Sequence, residues 1–513
     1  MCCSRAPAGY RSGRATRVPG RQPPSRQAFS FLSPSVYRIG TREHQSCVVS
    51  SARDGPMKPL KIGVSGVRGI VGEAFTPELV VGFAQAFGTY LDAGAILVCR
   101  DTRPSGPMVS AAVASGLLAA GCEVVDLGIC PTPTMQLAVP WLAASGGVSI
   151  TAGHNPAPWN ALKFVRGDGL YLNTAQAEEL LDVYHQGEFL KAPWDRMRTS
   201  VGRRDAIAHH LARLAGAFDV EAVRARRLKV AVDCCNGSCS LVSPRWLAEL
   251  GCEVLAINDD PAAPFPHDPE PRVETMAQVR AVVTAGRADI GFVHDADGER
   301  LGIVDEHGRP LSEELTLALA AAIRLDRRVG PVVTNISTTS AIDRIAARHG
   351  ATVIRTPVGQ PYIAEAILEA HAVIGGEGNG SVAVPEVHPC HDSAAAIGVI
   401  LERLATSREP ISRLADDLPR LTMIKQIVPV APNLIYSALQ DFRDHIHQEF
   451  RDSAQAVDDA GVDLSDGVKV MWPDGWVHVR VSNTESLIRI ISEAETPPRA
   501  AALMDWAREH VRP

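Results

Sequence analysis

No stretch of this 513-residue sequence holds the roughly 18 consecutive apolar residues needed to cross a bilayer, which excludes a membrane-spanning helix. The apolar run Leu315 to Ile323 is too short for that and reads as a buried helix. Cysteine is sparse, eleven residues and an odd number, clustered only at Cys2–Cys3 and at Cys234–Cys235 with Cys239. Such usage reads as free thiols in a reducing compartment, so a cytoplasmic location is expected. A zinc site at Cys234, Cys235 and Cys239 lacks a second Cys/His pair at finger spacing. A basic surface is also missing. The net charge is −7, and residues 1–56 contribute about +7 through nine Arg, no Lys and two acidic residues. The remainder therefore carries about −14, which excludes a nucleic-acid partner.

What is present is globular: 46% hydrophobic and 21% charged residues, in a chain too long for one core. Residues 1–56 lack the apolar density to fold. Their Arg- and Ser-rich composition imitates a transit peptide, but no clear amphipathic helix accompanies it. Met57 opens a clean strand pattern, Lys58-Pro59-Leu60-Lys61-Ile62-Gly63-Val64. We read residues 1–56 as a disordered or over-extended N-terminal extension.

One pattern then recurs three times: apolar strand, polar loop, helix, Gly, apolar strand. It joins Ala95–Val98 to Gly121–Val125, Leu228–Val232 to Gly251–Leu255, and Val332–Val333 to Gly350–Ile354. Glycine falls where a helix C-cap is expected, and the helix suits a right-handed crossover between parallel strands. From about Met423 the pattern changes to alternation. Val468–Trp472 and Trp476–Arg480 flank Pro473-Asp474-Gly475, a hairpin signal, and a final helix covers Pro497 to Val511. The expectation is three α/β domains with mixed sheets (57–205, 206–311 and 312–422), then a smaller α+β domain (423–513).

Four loops carry candidate chemistry. Thr151-Ala152-Gly153-His154-Asn155-Pro156 is a tight turn after a buried strand, with Lys163 close downstream. In His294-Asp295-Ala296-Asp297-Gly298-Glu299-Arg300, three carboxylates at alternate positions can converge on a hard cation such as Mg²⁺. An EF-hand reading, with Glu306 twelfth, fails because Arg300 takes the glycine position. Gly375-Gly376-Glu377-Gly378-Asn379-Gly380 lets backbone approach a ligand, while Glu377 and Asn379 offer acceptors and a donor suited to sugar hydroxyls. No dinucleotide-binding context follows it. Arg480-Val481-Ser482-Asn483-Thr484-Glu485-Ser486, with Arg489, has the composition of a phosphate cradle.

In this order the four loops resemble those of the α-D-phosphohexomutases, whose motifs read Thr-Ala-Ser-His-Asn-Pro, Asp-x-Asp-x-Asp-Arg, Gly-Glu-x-Ser-Gly and Arg-Pro-Ser-x-Thr-Glu-Pro. Gly63–Gly69 is similar to the family's N-terminal active-site loop. The segments Trp159–Phe164, Gly375–Gly380 and Val384–His388 are most like the phosphoglucosamine mutase branch. The resemblance implies four domains around a central cleft. It also implies a mutase that moves phosphate between C1 and C6 of a hexose through a sugar 1,6-bisphosphate, which serves as activator. Carried over by position, Asp295, Asp297 and Glu299 hold Mg²⁺. Arg68, Arg103, Lys163 and Arg300 line the reacting phosphate. Glu377, Asn379 and His388 hold the sugar, and Arg480, Ser482, Asn483, Thr484 and Arg489 hold the distal phosphate. The expected partner is a hexose phosphate, glucosamine phosphate above others, bound by a monomer or homodimer.

The departures bear on mechanism. Gly153 stands at the phosphoserine position and has no oxygen to phosphorylate. His154, Thr151 and Ser149 are the nearby substitutes, His154 being the most nucleophilic when neutral. Glu299 replaces the third Asp, Ser381 stands where some relatives place His, and Val481 and Ser486 replace prolines. The alternative expectation is a catalytically degenerate sugar-phosphate-binding protein of the same fold.

Overall fold

The computed structural model describes residues 60–63, 66–431, 434–452, 461–481 and 487–511. The N-terminal extension and the cradle residues Ser482, Asn483 and Thr484 lie outside the described residues. Four sheets build one compact unit within Met57–Pro513.

The three recurring patterns form the crossovers expected of them. Ala95–Arg100 pairs in parallel with Glu123–Ile129, Lys229–Asp233 with Glu253–Ile257, and Val332–Asn335 with Val353–Thr356. The glycines between, Gly121, Gly251 and Gly350, all adopt positive φ, so each helix stops where a residue without Cβ can turn left-handed.

Each of the first three sheets delivers one candidate loop from the carboxyl end of a buried strand. In the seven-stranded sheet Gly146–Ile150 lies between Ala95–Arg100 and Trp159–Arg166 and is buried at every residue. It ends at the Thr151 turn. In the four-stranded sheet Ile290–His294 runs parallel to Lys229–Asp233, then reverses to pair with Leu301–Val304. Since His294 faces Leu301, the carboxylates occupy the connecting loop, 295–300. In the third sheet Ile374–Glu377 turns through Gly378–Gly380 into Ser381–Val384. The last sheet is antiparallel, with the hairpin closed by Trp472 facing Gly475, so Pro473 and Asp474 alone make the turn.

The two middle units each keep their own sheet and pack through one continuous apolar core. A single cluster runs from Leu211 and Trp246 through Phe292 and Leu317 to Ile400 and Leu418. Two long helices, Glu313–Arg327 and Ser393–Ser407, are sunk into it. The first starts with Ser312 and two acidic residues and ends near Arg324 and Arg327, matching charge to the helix dipole.

The C-terminal sheet keeps its own core, whose members all lie between 424 and 511. It docks on the third unit through polar groups. Glu493, buried, accepts from the Thr339 hydroxyl, from Ser340 N (2.8 Å) and from Trp476 Nε1 (2.8 Å). Ser337 Oγ meets His478 Nδ1 at 2.9 Å, and Lys469 Nζ donates to Ile336 O at 2.6 Å above the Trp476 ring. Burial, helped by Arg355, pulls the Lys469 ammonium down to about 7.

Replacing Glu493 by Leu strands the Thr339 hydroxyl and Ser340 N, while Trp476 Nε1 keeps Ser340 Oγ (2.8 Å), and we expect a loss of about 3 kcal/mol in urea denaturation. Arg344→Ala, which breaks only the exposed pair with Glu495, should stay within about 1 kcal/mol. Equal effects would show that the buried cluster contributes nothing special.

Candidate active site

Arg103 organises the first loop. Its side chain is fully buried and all five N–H donors are used. Nε pairs with Asp101 Oδ2 (2.9 Å), Nη1 donates to Pro156 O (2.7 Å) and Trp159 O (3.1 Å), and Nη2 to Gly153 O (2.8 Å) and Asn155 O (2.7 Å). Arg103 was expected to line the reacting phosphate. It instead holds the turn, because no donor remains for a ligand. Thr151 and Ser149 are similarly engaged. Thr151 Oγ1 donates to Asp101 (2.6 Å) and accepts from Gly153 N (3.0 Å), while Ser149 Oγ bonds Thr132 Oγ1 (2.9 Å).

Gly153 sits at φ +55°, and a Cβ built there would lie nearest the Asp297 carboxylate, 3.4 Å from Oδ1. The phosphoserine position therefore faces the carboxylate loop directly. The next residue, His154, has Nε2 3.5 Å from Arg300 Nη2. Burial, then the charges of Arg300, Arg68, Lys163 and Arg489, push its imidazole well below the usual value, so the ring is neutral. Arg68 is fixed beside it by a 2.8 Å bond to Asn155 Oδ1.

The carboxylate loop is gripped by its backbone from three units. Thr132 N donates to Asp297 O (3.0 Å), Ser238 N to Ala296 O (2.9 Å) and Ser393 N to Gly298 O (3.0 Å), while Leu301 N donates to Gly380 O (3.0 Å). Asp295 Oδ1 accepts three backbone N–H groups, those of Gly298, Glu299 and Arg300. Lys163 Nζ bridges Asp297 Oδ2 (2.7 Å) and Glu299 Oε2 (2.8 Å), and Tyr171 OH donates to Glu299 Oε1 (2.5 Å). Burial, with Asp297 and Glu299 nearby, raises Asp295 well above the carboxylate range. Burial pushes Asp297 the same way, but the Lys163 ammonium outweighs it and holds Asp297 low.

Among the described residues, no three carboxylate, imidazole or thiol groups are gathered as a ready metal cage. The donor set nonetheless suits a hard cation. Asp297 Oδ1 is buried without any hydrogen-bond partner, and the ammonium of Lys163 already marks where positive charge is required. Cys234, Cys235 and Cys239 are buried free thiols.

In the third loop Glu377 Oε1 accepts from Asn335 Nδ2 (2.7 Å) and Gly359 N (3.0 Å), and Oε2 from Asn379 Nδ2 (3.3 Å). His388, expected to hold the sugar, belongs elsewhere. Its Nε2 lies 3.2 Å from Asp392 Oδ2, which also meets His210 Nε2 at 2.8 Å, and His210 Nδ1 meets Thr134 Oγ1 at 2.8 Å. That buried network ties the first unit to the middle pair. Arg480 and Arg489 are directly opposed across two strands, a spacing that suits a dianion, and Arg480 Nε is held by Asp466 (3.1 Å). The charge of Arg489 is among those that lower the His154 imidazole.

The site thus gathers Arg68, His154, Lys163, Asp297, Glu299, Arg300 and Arg489, and leaves out Arg103 and His388. Sequence reasoning missed Tyr171 and Thr132. Tyr171 follows the strand that carries Lys163, which was the available signal.

Comparison with known proteins gives four consecutive matches to phosphoglucomutase/phosphomannomutase domains. They are alpha/beta/alpha domain I over residues 59–191, domain II over 208–308, domain III over 312–421 and the C-terminal domain over 434–510. The chain belongs to the phosphoglucomutase/phosphomannomutase family. A Thermococcus kodakarensis phosphoglucomutase/phosphomannomutase is 36% identical, covering 86% of this chain and 96% of that one. A Sulfurisphaera tokodaii phosphoglucosamine/phosphogalactosamine mutase is 32% identical, covering 84% and 95%. A crystal structure of a family member from Burkholderia thailandensis superimposes with a TM-score of 0.75 at 26% identity, covering 88% and 96%. Among the described residues no helix is long and apolar enough to cross a membrane.

Lys163→Met leaves the buried Asp297 and the half-buried Glu299 without their cation, and should cost about 3 kcal/mol at pH 7. The depressed Asp297 contributes stability above the ordinary carboxylate value near 4, and that contribution disappears as pH falls through its lowered value. The gap between wild type and variant should therefore narrow on acidification. Denaturation curves at pH 7 and below pH 4 with a constant gap would refute the ion-pair account.

Proposed function

We propose that this chain interconverts hexose 6-phosphate and hexose 1-phosphate, with glucosamine phosphate preferred, through a sugar 1,6-bisphosphate. The observation that carries this is the gathering of three cations at one turn: Arg300, 3.5 Å from His154, Arg68, held on Asn155, and Lys163, held on the Asp297 that the Gly153 position faces. Phosphoryl transfer consists largely of positioning and charge stabilisation, and these cations supply both. The opposed Arg480 and Arg489 suit the second phosphate, which lets the same sugar bind in either direction.

Asp295, Asp297 and Glu299 would hold Mg²⁺, which when bound adds charge against the transferring group. Glu299 is one methylene longer than the family's aspartate and stays within reach of the loop while engaging Tyr171 and Lys163. With Thr151 and Ser149 engaged in the turn, His154 is left as the nearby side chain that can accept phosphate in place of serine. The second reading, a binding protein without turnover, is favoured by Gly153 itself.

The deciding experiment is turnover of glucosamine 6-phosphate with Mg²⁺ and catalytic sugar 1,6-bisphosphate, run beside glucose and mannose phosphates. Phosphate mapped to His154 under conditions that preserve phosphohistidine would accompany activity. Absence of turnover, with activity gained in Gly153→Ser, would identify the binding protein. Calorimetry should also show Asp297→Asn losing Mg²⁺ affinity with the fold intact, and unchanged affinity would remove the metal assignment.

A further inference from the structure

Lys425 lies on the first strand of the C-terminal sheet, Thr422–Pro429, and was not among the candidate residues. Its Nζ crosses to the third unit and meets three oxygens: Glu314 Oε1 (2.7 Å), Glu313 Oε1 (2.8 Å) and Gly378 O (3.3 Å). The last of these belongs to the sugar loop. An ammonium has three N–H donors, so each oxygen can take one. Burial disfavours the charged amine, but Glu314 and Glu313 outweigh it and hold its pKa above the ordinary value, so Lys425 is a cation at neutral pH.

Gly378 is held at its N–H, its Cα and its carbonyl. The N–H donates to Thr338 Oγ1 (3.0 Å), and a Cβ there would overlap the Glu314 carboxylate, so the backbone lies directly on that side chain. Glu314 is itself fixed at Oε2 by Thr339 N (3.0 Å). Alternate carbonyls of the loop are bound by different units. Gly376 O accepts from Thr334 Oγ1 (2.9 Å) of the third unit, Gly378 O from Lys425 of the C-terminal unit, and Gly380 O from Leu301 N (3.0 Å) of the second. Glu377 and Asn379 stand between these three anchors.

The same sheet carries the phosphate arginines. Lys425 pairs with Ile491 and Ile427 with Arg489, which in turn faces Arg480. Paired residues share a face, as do alternate residues of one strand. Lys425, Arg480 and Arg489 therefore all project from the face opposite the apolar core of Val477, Val479, Ile488 and Ile490. We propose that Lys425 is a positioning residue for the sugar loop, fixing Gly378, and with it Glu377 and Asn379, at the separation from Arg480 and Arg489 that a hexose phosphate spans. The inference rests on the hexose-phosphate reading above. A misplacement of about 1 Å in such a site is costly, and Lys425 ties the two ends of the ligand to one stiff ladder of hydrogen bonds.

The test is calorimetric binding of glucosamine 6-phosphate to the full chain, to Lys425→Met, to Glu377→Gln and to the double variant. Lys425→Met should bind about tenfold more weakly. Added to Glu377→Gln it should cost less than about threefold more, because the residue it positions has already lost its contact. Lys425→Arg, which keeps a cationic donor, should recover most of the loss. Glu313→Gln, which leaves the Gly378 contact in place, should bind as wild type does. Should Lys425→Met not fold, combining it with Glu314→Gln removes the charge pair together and carries the same comparison. An equal loss in both backgrounds, or no loss in either, would show that Lys425 only supports its own sheet. If wild type binds neither glucosamine 6-phosphate nor glucose 6-phosphate, the hexose-phosphate reading itself fails and this inference falls with it.

Discussion

The cleft depends on one short loop whose backbone is not its own. Residues 295–300 connect two strands of the second sheet, but their carbonyl groups are held by N–H groups of Thr132, Ser238 and Ser393, which come from three structural units. Backbone hydrogen bonds of this kind resist sliding, since moving one unit leaves buried polar groups unpaired. The loop's carboxylates are therefore fixed relative to Lys163 and Gly153 on one side and to the sugar loop on the other. Crowding three acidic groups at such a crossing is tolerable because Lys163 sits between two of them and three N–H groups satisfy the third.

The strand–helix–strand units were legible because each signal is local. Periodicity, a capping glycine and a returning apolar strand lie within about thirty residues, and parallel pairing follows from the handedness of the crossover. The first three loops were legible as well, since each follows a buried strand with polar residues or glycines. The uses of individual side chains were less so. Arg103 and Arg68 look alike in sequence, yet one spends every donor on Asp101 and on carbonyls of the neighbouring turn, while the other donates to the side chain of Asn155 in that turn. His388 lies near the sugar loop in sequence, but its partner Asp392 draws it toward His210, 182 residues from that aspartate. The continuity of the apolar core between the middle units was also hidden, because a helix buried on most faces reads the same whether one sheet or two cover it.

Gly153 removes the side chain of the turn without loosening the turn. The carbonyl of Gly153 is fixed by Arg103 and its N–H by Thr151, and its left-handed conformation is one that glycine adopts without the Cβ penalty. The surrounding scaffold is thus organised for a residue that faces Asp297, whether or not that residue carries an oxygen.

The seam between the third unit and the C-terminal sheet has a thermodynamic character of its own. The apolar clusters on either side do not merge, and the contacts across it are carboxylate, hydroxyl, imidazole, amine and indole N–H groups. Exposing apolar surface raises heat capacity, whereas exposing polar surface lowers it. Separation at this seam should therefore carry a heat-capacity change near zero, or even negative, quite unlike unfolding of either core. The balance between docked and undocked states would then follow a nearly straight van't Hoff line, with an enthalpy that stays nearly constant as temperature changes.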